Sequence, residues 1–201
     1  KWTSKRLVQQ QQITIAERFK DEDAIYFPHT CDYRGRIYPA AGLGSVNPQG
    51  NDAGKALLQF ARGKALGETG AAWLAIHCAN VWGTDKVSMD DRILWSHMNA
   101  DMMLACAADP MANNRWMDAD KPLQFLAACF EWEGYTLSGD AHVSHLPIAL
   151  DGTCSGMQHF AAMVRDPASA RSVNVEQVGD VPADLYTRVL EQVRKDLPAD
   201  S

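Results

Sequence analysis

The sequence has no apolar run close to the ~20 residues that are needed to span a bilayer. Its longest nearly apolar segments are PLQFLAACF (122–130) and HLPIALDG (145–152), and no part of it resembles a secretory leader. The five cysteines are an odd number without CxxC spacing, which argues against a disulfide framework and against a zinc knuckle. We therefore expect an intracellular protein from a reducing compartment, without membrane association.

The charge of the chain is unevenly distributed. The net charge is −6, yet residues 1–64 contain ten Lys and Arg against six Asp and Glu, whereas the remainder contains nine against nineteen. This asymmetry predicts that the first third faces an anionic partner such as a polynucleotide. The alternative is that both regions are ordinary solvated surface. With 46% hydrophobic and 22% charged residues, the composition is that of a globular protein rather than a disordered one.

Hydrophobic periodicity predicts many helices and few strands. Residues 24–40 are rich in aromatic and β-branched residues and are interrupted by Pro28 and Gly35, which favours two short strands around a turn. A loop is expected at 42–51 from its Gly, Pro and Asn content. Helical patterns occupy 3–20, 52–62, 69–82, 90–107 and 121–131. Because strands and helices do not alternate, the fold class is α+β, mainly helical.

The last third of the chain contains one more predicted strand and two more helices. The apolar run His145–Leu150 is typical of a buried strand, and Asp151 and Gly152 directly after it are typical of a turn. Residues 153–164 then suit a helix with Thr153 as its N-cap, and residues 181–196 suit an amphipathic helix with Pro182 in its first turn.

Asp151 is the strongest candidate for chemistry. A carboxylate at the end of a buried strand, followed by the accessible carbonyl of Gly152, suits a hard cation such as Mg²⁺. The alternative is an ordinary strand-end turn. The same segment, GTCSG (152–156), also fits a cysteine variant of the nucleophile elbow, with Cys154 as nucleophile. However, the only later histidine, His159, lies in the same predicted helix and cannot complete a triad, so Cys154 is expected to be a small buried hydrophobe.

Two arginines are candidates for binding phosphate. Arg34 and Arg36 in DYRGR are two residues apart, so on a strand both guanidinium groups would project from one face towards phosphate oxygens. The alternative is that Arg34 pairs with Asp32 on a hairpin. Lys86 lies in a loop between helices, where spacing alone indicates a solvated lysine.

Five ordered blocks resemble the single-subunit DNA-directed RNA polymerases of bacteriophages, which have relatives in mitochondria. The most specific is the last, which contains DGTCSGMQHF. The blocks are FPHTCDYRGRIYP (27–39), NPQGNDAGKALLQFARGKALG (47–67), WLAIHCANVWGTDKV (73–87), PLQFLAACFEW (122–132) and LPIALDGTCSGMQHFAAMVRD (146–166).

The resemblance implies a partial right-hand polymerase palm with a helical insertion, from an enzyme that acts in the cytoplasm of an infected bacterial host. It divides the chain into five parts: a helix from the thumb side (1–20), the first part of the palm with DYRGR (21–66), the helical insertion (67–140), the palm with motif A (141–179) and the start of the fingers (180–201).

The resemblance also implies roles for single residues. Asp151 matches the motif A aspartate, which coordinates two catalytic Mg²⁺ ions with help from the main-chain carbonyl at Gly152. Arg34, Arg36 and Lys55 match positions that face nucleic acid, and Lys86 matches a lysine near the incoming triphosphate. The implied partners are a DNA template, an RNA transcript and ribonucleoside triphosphates.

Two features of the family are not found between residues 1 and 201: a second metal-binding aspartate and the fingers helix that grips the nucleotide. We therefore expect a piece of a larger polymerase that is inactive alone, whose remaining chain supplies the second aspartate. The alternatives are one piece of a split polymerase and a catalytically inactive palm scaffold that binds nucleic acid.

Overall fold

The computed structural model describes residues 2–40, 46–150, 152, 154–176 and 179–197. They form two compact units, one with the residues up to Asp85 and Ile93–Ile148, the other with Lys86–Arg92 and the residues from Ala149 onward. The helices are α1 (Trp2–Phe19), α2 (Asp52–Ala56), α3 (Gly67–Trp82), α4 (Met89–Met98), α5 (Ala100–Ala108), α6 (Pro122–Ser138), α7 (Ser155–Val164), α8 (Pro167–Ser172) and α9 (Leu185–Asp196). The strands are β1 (His29–Cys31), β2 (Ile37–Pro39), β3 (Lys64–Ala65) and β4 (Val143–Ser144).

The hydrophobic core of the first unit lies where α6 packs against α3 and α5. Its centre is aromatic: the ring centroids of Trp82 and Phe125 are 5.0 Å apart, and those of Trp82 and Trp95 are 5.6 Å apart. The one polar side chain of α4 that is fully buried there, Ser96, donates its hydroxyl to the carbonyl oxygen of Ala75 at 2.6 Å. This bond satisfies a group that would otherwise destabilise the core.

Two small antiparallel pairs complete the first unit. In the first, β1 pairs with β2 so that Thr30 lies opposite Tyr38, which confirms the predicted strands around a turn. In the second, β3 pairs with β4, with Lys64 opposite Ser144. In the part of the chain that the structure describes, helices greatly outnumber strands. The predicted fold class, α+β and mainly helical, is confirmed.

The bounds of three predicted helices differ from the observed ones. The pattern 90–107 is two helices, because the chain breaks at Asn99, whose side-chain amide donates to the carbonyl of Trp95 at 2.7 Å. In the pattern 52–62 the helix ends at Ala56, because beyond it the backbone bonds elsewhere: the Phe60 amide donates to the His145 carbonyl at 2.8 Å. The pattern 121–131 continues to Ser138.

The prediction of a buried strand over His145–Leu150 is wrong. These residues belong to no strand, and Leu150 is 73% exposed. A strand needs a neighbour for its backbone groups, and among the described residues β3 pairs only with Val143–Ser144. Pro147 also lacks the N–H that a ladder would use.

The helices of the second unit begin later than predicted. Helix α7 starts at Ser155, directly after Cys154 in the left-handed conformation with φ 61°, and the predicted N-cap Thr153 lies outside the described residues. Helix α9 starts at Leu185 with Asp184 as its N-cap. Pro182 therefore precedes α9, and its predicted place in the first turn is wrong. No helix in the described part of the chain is long and apolar enough to cross a membrane.

Candidate functional site

The DYRGR segment is a tight turn between β1 and β2, organised by Asp32. One carboxylate oxygen of Asp32 accepts the backbone N–H groups of Arg34 at 2.8 Å and Arg36 at 3.0 Å. The other accepts the Arg34 Nε and Nη2 atoms at 3.0 and 2.8 Å. The pKa of Asp32 is lowered, first by the backbone hydrogen bond from Arg36 and then by the bonds from Arg34. Gly35 supplies the positive φ of 77° that the turn requires.

In this turn the two arginines have different surroundings. Residues 32–36 form a turn, so the expectation that Arg34 and Arg36 project from one face of a strand is wrong. The alternative is confirmed for Arg34, whose guanidinium group pairs with Asp32 and also donates to the Tyr38 hydroxyl at 3.2 Å. Arg36 is exposed, and its backbone N–H anchors the end of the turn.

Lys55 lies in the last turn of α2, a helix of five residues that follows the NPQG turn. The Asn51 side chain caps this helix by accepting the Gly54 amide at 2.9 Å, and it also accepts Gln12 Nε2 from α1 at 2.6 Å. Asp52 accepts bonds from the first residues of α6. Sequence reasoning assigned no role to Asn51 or Asp52. For Asn51 the signal was present, because Asn directly before a helical pattern is typical of a capping residue.

Lys86 belongs to the second unit and is largely in solvent, with 74% of its side chain exposed. Its ammonium group lies 3.9 Å from Oδ2 of Asp184, at the outer limit for an ion pair. The pKa of Asp184 is lowered, chiefly by the hydrogen bond from the Thr187 hydroxyl, and Lys86 contributes least. The structure thus brings Lys86 near one carboxylate without immobilising it.

Asp151 lies outside the described residues, and its neighbour Gly152 is described. A Cβ atom at Gly152 would stand 3.0 Å from Oε1 of Gln158. Gln158 is held in place because its Nε2 donates to the Val173 carbonyl at 2.8 Å. A side chain at position 152 would therefore press against a fixed neighbour, which favours glycine there.

Cys154 is half-buried, so the expectation that it is a buried hydrophobe is wrong. The pKa of Tyr186 is raised, first by hydrogen bonding with the Cys154 thiol. His159 is exposed on α7. Across the described residues, no group of three or more His, Cys, Asp and Glu side chains is arranged to hold a metal ion.

Comparison with known proteins identifies the family. A family model described as DNA-dependent RNA polymerase matches residues 64–201. The chain belongs to this polymerase family. It is 42% identical over 198 residues to the DNA-directed RNA polymerase of Enterobacteria phage T3, and 41% identical over 198 residues to T7 RNA polymerase of Escherichia phage T7. It is 35% identical to DNA-directed RNA polymerase 1, mitochondrial, of Arabidopsis thaliana.

The resemblance to phage and mitochondrial RNA polymerases is thereby confirmed. The alignments with the two phage enzymes each include 98% of this chain but 22% of the relative, so the chain spans about a fifth of the length of these polymerases. The mitochondrial alignment includes 100% of the chain and 22% of the relative. Family membership thus extends over both units.

Proposed function

We propose that this chain is the part of a DNA-directed RNA polymerase that carries motif A, and that the whole enzyme makes RNA from ribonucleoside triphosphates on a DNA template. The observation that carries the proposal is the family match over residues 64–201, which contains DGTCSGMQHF. The proposed division is a lead-in helix (1–20), palm (21–66 and 141–179), a helical insertion (67–140) and the start of the fingers (180–201). Similarity to phage enzymes supports the cytoplasm of an infected bacterium as the place of action.

The proposed metal ligands are the Asp151 carboxylate and the Gly152 carbonyl. Both are hard oxygen donors, the type that Mg²⁺ prefers, and the absence of a side chain at Gly152 leaves its carbonyl approachable. When bound, two Mg²⁺ ions would stabilise the attacking 3′ oxygen of the RNA and the departing pyrophosphate. One carboxylate is too few to hold two such ions, so the remainder of the polymerase is proposed to supply a second aspartate.

The proposed ligands of nucleic acid and nucleotide are basic side chains. Arg36 and Lys55 would neutralise backbone phosphates, and Arg34 would act mainly through the turn that it closes with Asp32. Lys86 is proposed to contact the incoming triphosphate. Its exposure supports this role, because a long, exposed ion pair with Asp184 is weak and exchanges readily for a phosphate.

The test is primer extension on an RNA–DNA hybrid with Mg²⁺ and ribonucleotides. The chain is assayed alone and mixed with a separately made C-terminal piece of a related polymerase that carries the second aspartate. We expect extension only in the mixture, and we expect Asp151→Ala and Asp151→Asn to abolish it. Asp140→Ala, at an exposed aspartate after α6, is the matched control and should extend normally.

The outcomes separate the competing interpretations. Absence of extension in a mixture that demonstrably associates would contradict the catalytic role and favour a palm scaffold that only binds nucleic acid. Extension by the chain alone would contradict the requirement for a second aspartate.

A further inference from the structure

The NPQGND segment joins three helices of the first unit through two side chains. Oδ1 of Asn51 accepts two hydrogen bonds, from the Gly54 amide at 2.9 Å and from Gln12 Nε2 at 2.6 Å. The first bond caps α2, and the second ties α2 to α1. Gln12 is 1% exposed, so its side chain is a fixed anchor rather than a surface contact.

Asp52 makes the corresponding connection to α6. Its Oδ2 accepts the Leu123 amide at 2.8 Å, and its Oδ1 accepts the Gln124 amide at 3.2 Å and the Gln124 Nε2 at 3.0 Å. Lys121, at the N-cap position of α6, makes no side-chain capping bond. Asp52 therefore caps a helix that begins some 70 residues later in the chain, and its charge suits the positive end of the α6 dipole.

The position of Lys55 depends on both the connection of Asn51 to α1 and the connection of Asp52 to α6. Its amide donates to the Asn51 carbonyl at 2.9 Å, and its own carbonyl accepts the Leu58 amide at 3.1 Å. A helix of five residues has little stability of its own, because nucleating a helix is unfavourable and few bonds follow. The orientation of α2, and with it the place of the Lys55 ammonium group, must therefore come from the contacts with α1 and α6.

We propose that Asn51 and Asp52 are positioning residues for Lys55, which they hold where it binds a backbone phosphate of nucleic acid. This inference rests on the proposed function, because it requires a nucleic-acid ligand at Lys55. Neither residue touches the phosphate itself. Their effect is on how favourably Lys55 is placed before the nucleic acid arrives.

The experiment measures binding of a fluorescein-labelled RNA–DNA hybrid to the 201-residue chain at several salt concentrations. Lys55→Ala should weaken binding several-fold and lower the slope of log Kd against log salt by about 1, the loss of one phosphate contact. Asn51→Ala should give the same two changes although Lys55 is still present. In a Lys55→Ala background, Asn51→Ala should have almost no further effect on Kd.

Asp52→Ala distinguishes positioning from simple electrostatics. Removal of a negative charge near Lys55 would by itself tighten binding of a polyanion. Positioning predicts the opposite, weaker binding with a lower salt slope. Asp166→Ala is the matched control, because it also removes an aspartate that caps a helix, α8, through the Ser169 amide at 2.9 Å. It should leave the salt slope unchanged and should not weaken binding.

In Asn51→Ser the serine keeps a capping oxygen for α2, but its side chain is too short to reach Gln12. This variant should fold as the parent does and show an intermediate loss of affinity for the hybrid. Far-ultraviolet circular dichroism verifies folding of each variant. The positioning role alone would be overturned by either of two results. One is that Asn51→Ala weakens binding of the hybrid equally in the presence and in the absence of Lys55. The other is that Lys55→Ala has no effect on binding in a chain that binds the hybrid. No binding by the parent chain would contradict the nucleic-acid part of the proposed function, and the positioning role with it.

Discussion

The helices between residues 67 and 138 and the helices α7 and α9 differ in where their apolar side chains lie. In the first group Phe125 and Cys129 are fully buried. In the second, Phe160 is 55% exposed and Met163 is 82% exposed, although both helices have an apolar face. The helices between residues 67 and 138 therefore have a core of their own, whereas α7 and α9 leave much of their apolar surface in solvent.

The difference indicates that stability and proposed chemistry reside in different parts of the chain. Burial of apolar area is the main source of folding free energy, so the region around Phe125 should dominate unfolding. The residues proposed to bind metal and triphosphate belong to the second unit, whose helices are thinly packed. Substitutions in the two regions should consequently change different observables.

The largest contrast is expected in thiol reactivity. Cys31 is exposed and Cys154 half-buried, whereas Cys78, Cys106 and Cys129 are 0% exposed. Burial also raises the pKa of Cys78 to about 12, which suppresses the reactive thiolate. A thiol reagent should modify the three core cysteines more than about 1,000-fold more slowly than Cys31, because access requires opening of a stable core.

Two controls accompany this labelling experiment. In denaturant all five thiols should react at similar rates, and Cys31→Ser should remove the fastest phase from the native protein. Rapid native modification of three or more thiols would show that the helical core is not closed.

A large difference in stability is expected between two phenylalanines. Phe125 packs against Trp82 and Trp95, with ring centroids at 5.0 and 6.4 Å. Phe125→Ala should lower the free energy of unfolding by about 3–5 kcal/mol, because it leaves a cavity as well as removing apolar contacts. The matched variant Phe160→Ala should change it by less than about 1 kcal/mol. Urea unfolding followed by tryptophan fluorescence measures both, and equal losses would contradict the comparison.

The acid stability of the helical core is expected to depend on His77. His77 is buried in α3, and its pKa is lowered to about 4, first by desolvation and then by the charge of Lys121. Because the unfolded chain has the ordinary pKa near 6.5, it binds the proton before the folded chain does. The free energy of unfolding should therefore be at its full value above about pH 6.5. It should fall by about 3 kcal/mol in total as the pH is lowered from 6.5 towards 4.

Urea titrations between pH 7 and pH 4 measure this loss. His77→Gln should flatten the dependence on pH, whatever it does to stability at pH 7. His159→Gln, at an exposed histidine of α7, is the control and should leave the profile as in the parent. A profile unchanged by His77→Gln would mean that another group controls acid unfolding.

The smallest effect is expected at the start of α9. The Asp184 carboxylate accepts the Tyr186 amide at 3.0 Å and the Thr187 hydroxyl at 3.1 Å. Asp184→Ala should accelerate amide exchange in the first turn of α9 several-fold, and Asp184→Asn should restore most of the protection because asparagine also caps helices. Exchange in α3 should not change. Faster exchange in both helices would indicate that the two regions unfold together.

Much of the fold could be predicted from local pattern. The helices over 3–20 and 69–82 and the strands around Gly35 follow from periodicity and from the residues at their ends, because these signals act within a few residues. The pairing of Arg34 with Asp32 was one of two open alternatives, and local turn geometry decided between them. The ordered motifs also sufficed to identify the polymerase family.

The remaining features depend on contacts between residues distant in the chain. Helix α2 stops early because Phe60 bonds to His145, and residues 145–150 form no strand because no described neighbour pairs with them. Asp52 caps α6 across some 70 residues, which no local pattern indicates. The sequence by itself determined the helical periodicity, the tight turns and the family. Only the tertiary structure decided where elements end and which side chains hold Lys55, because a hydrogen bond depends on the position of its partner.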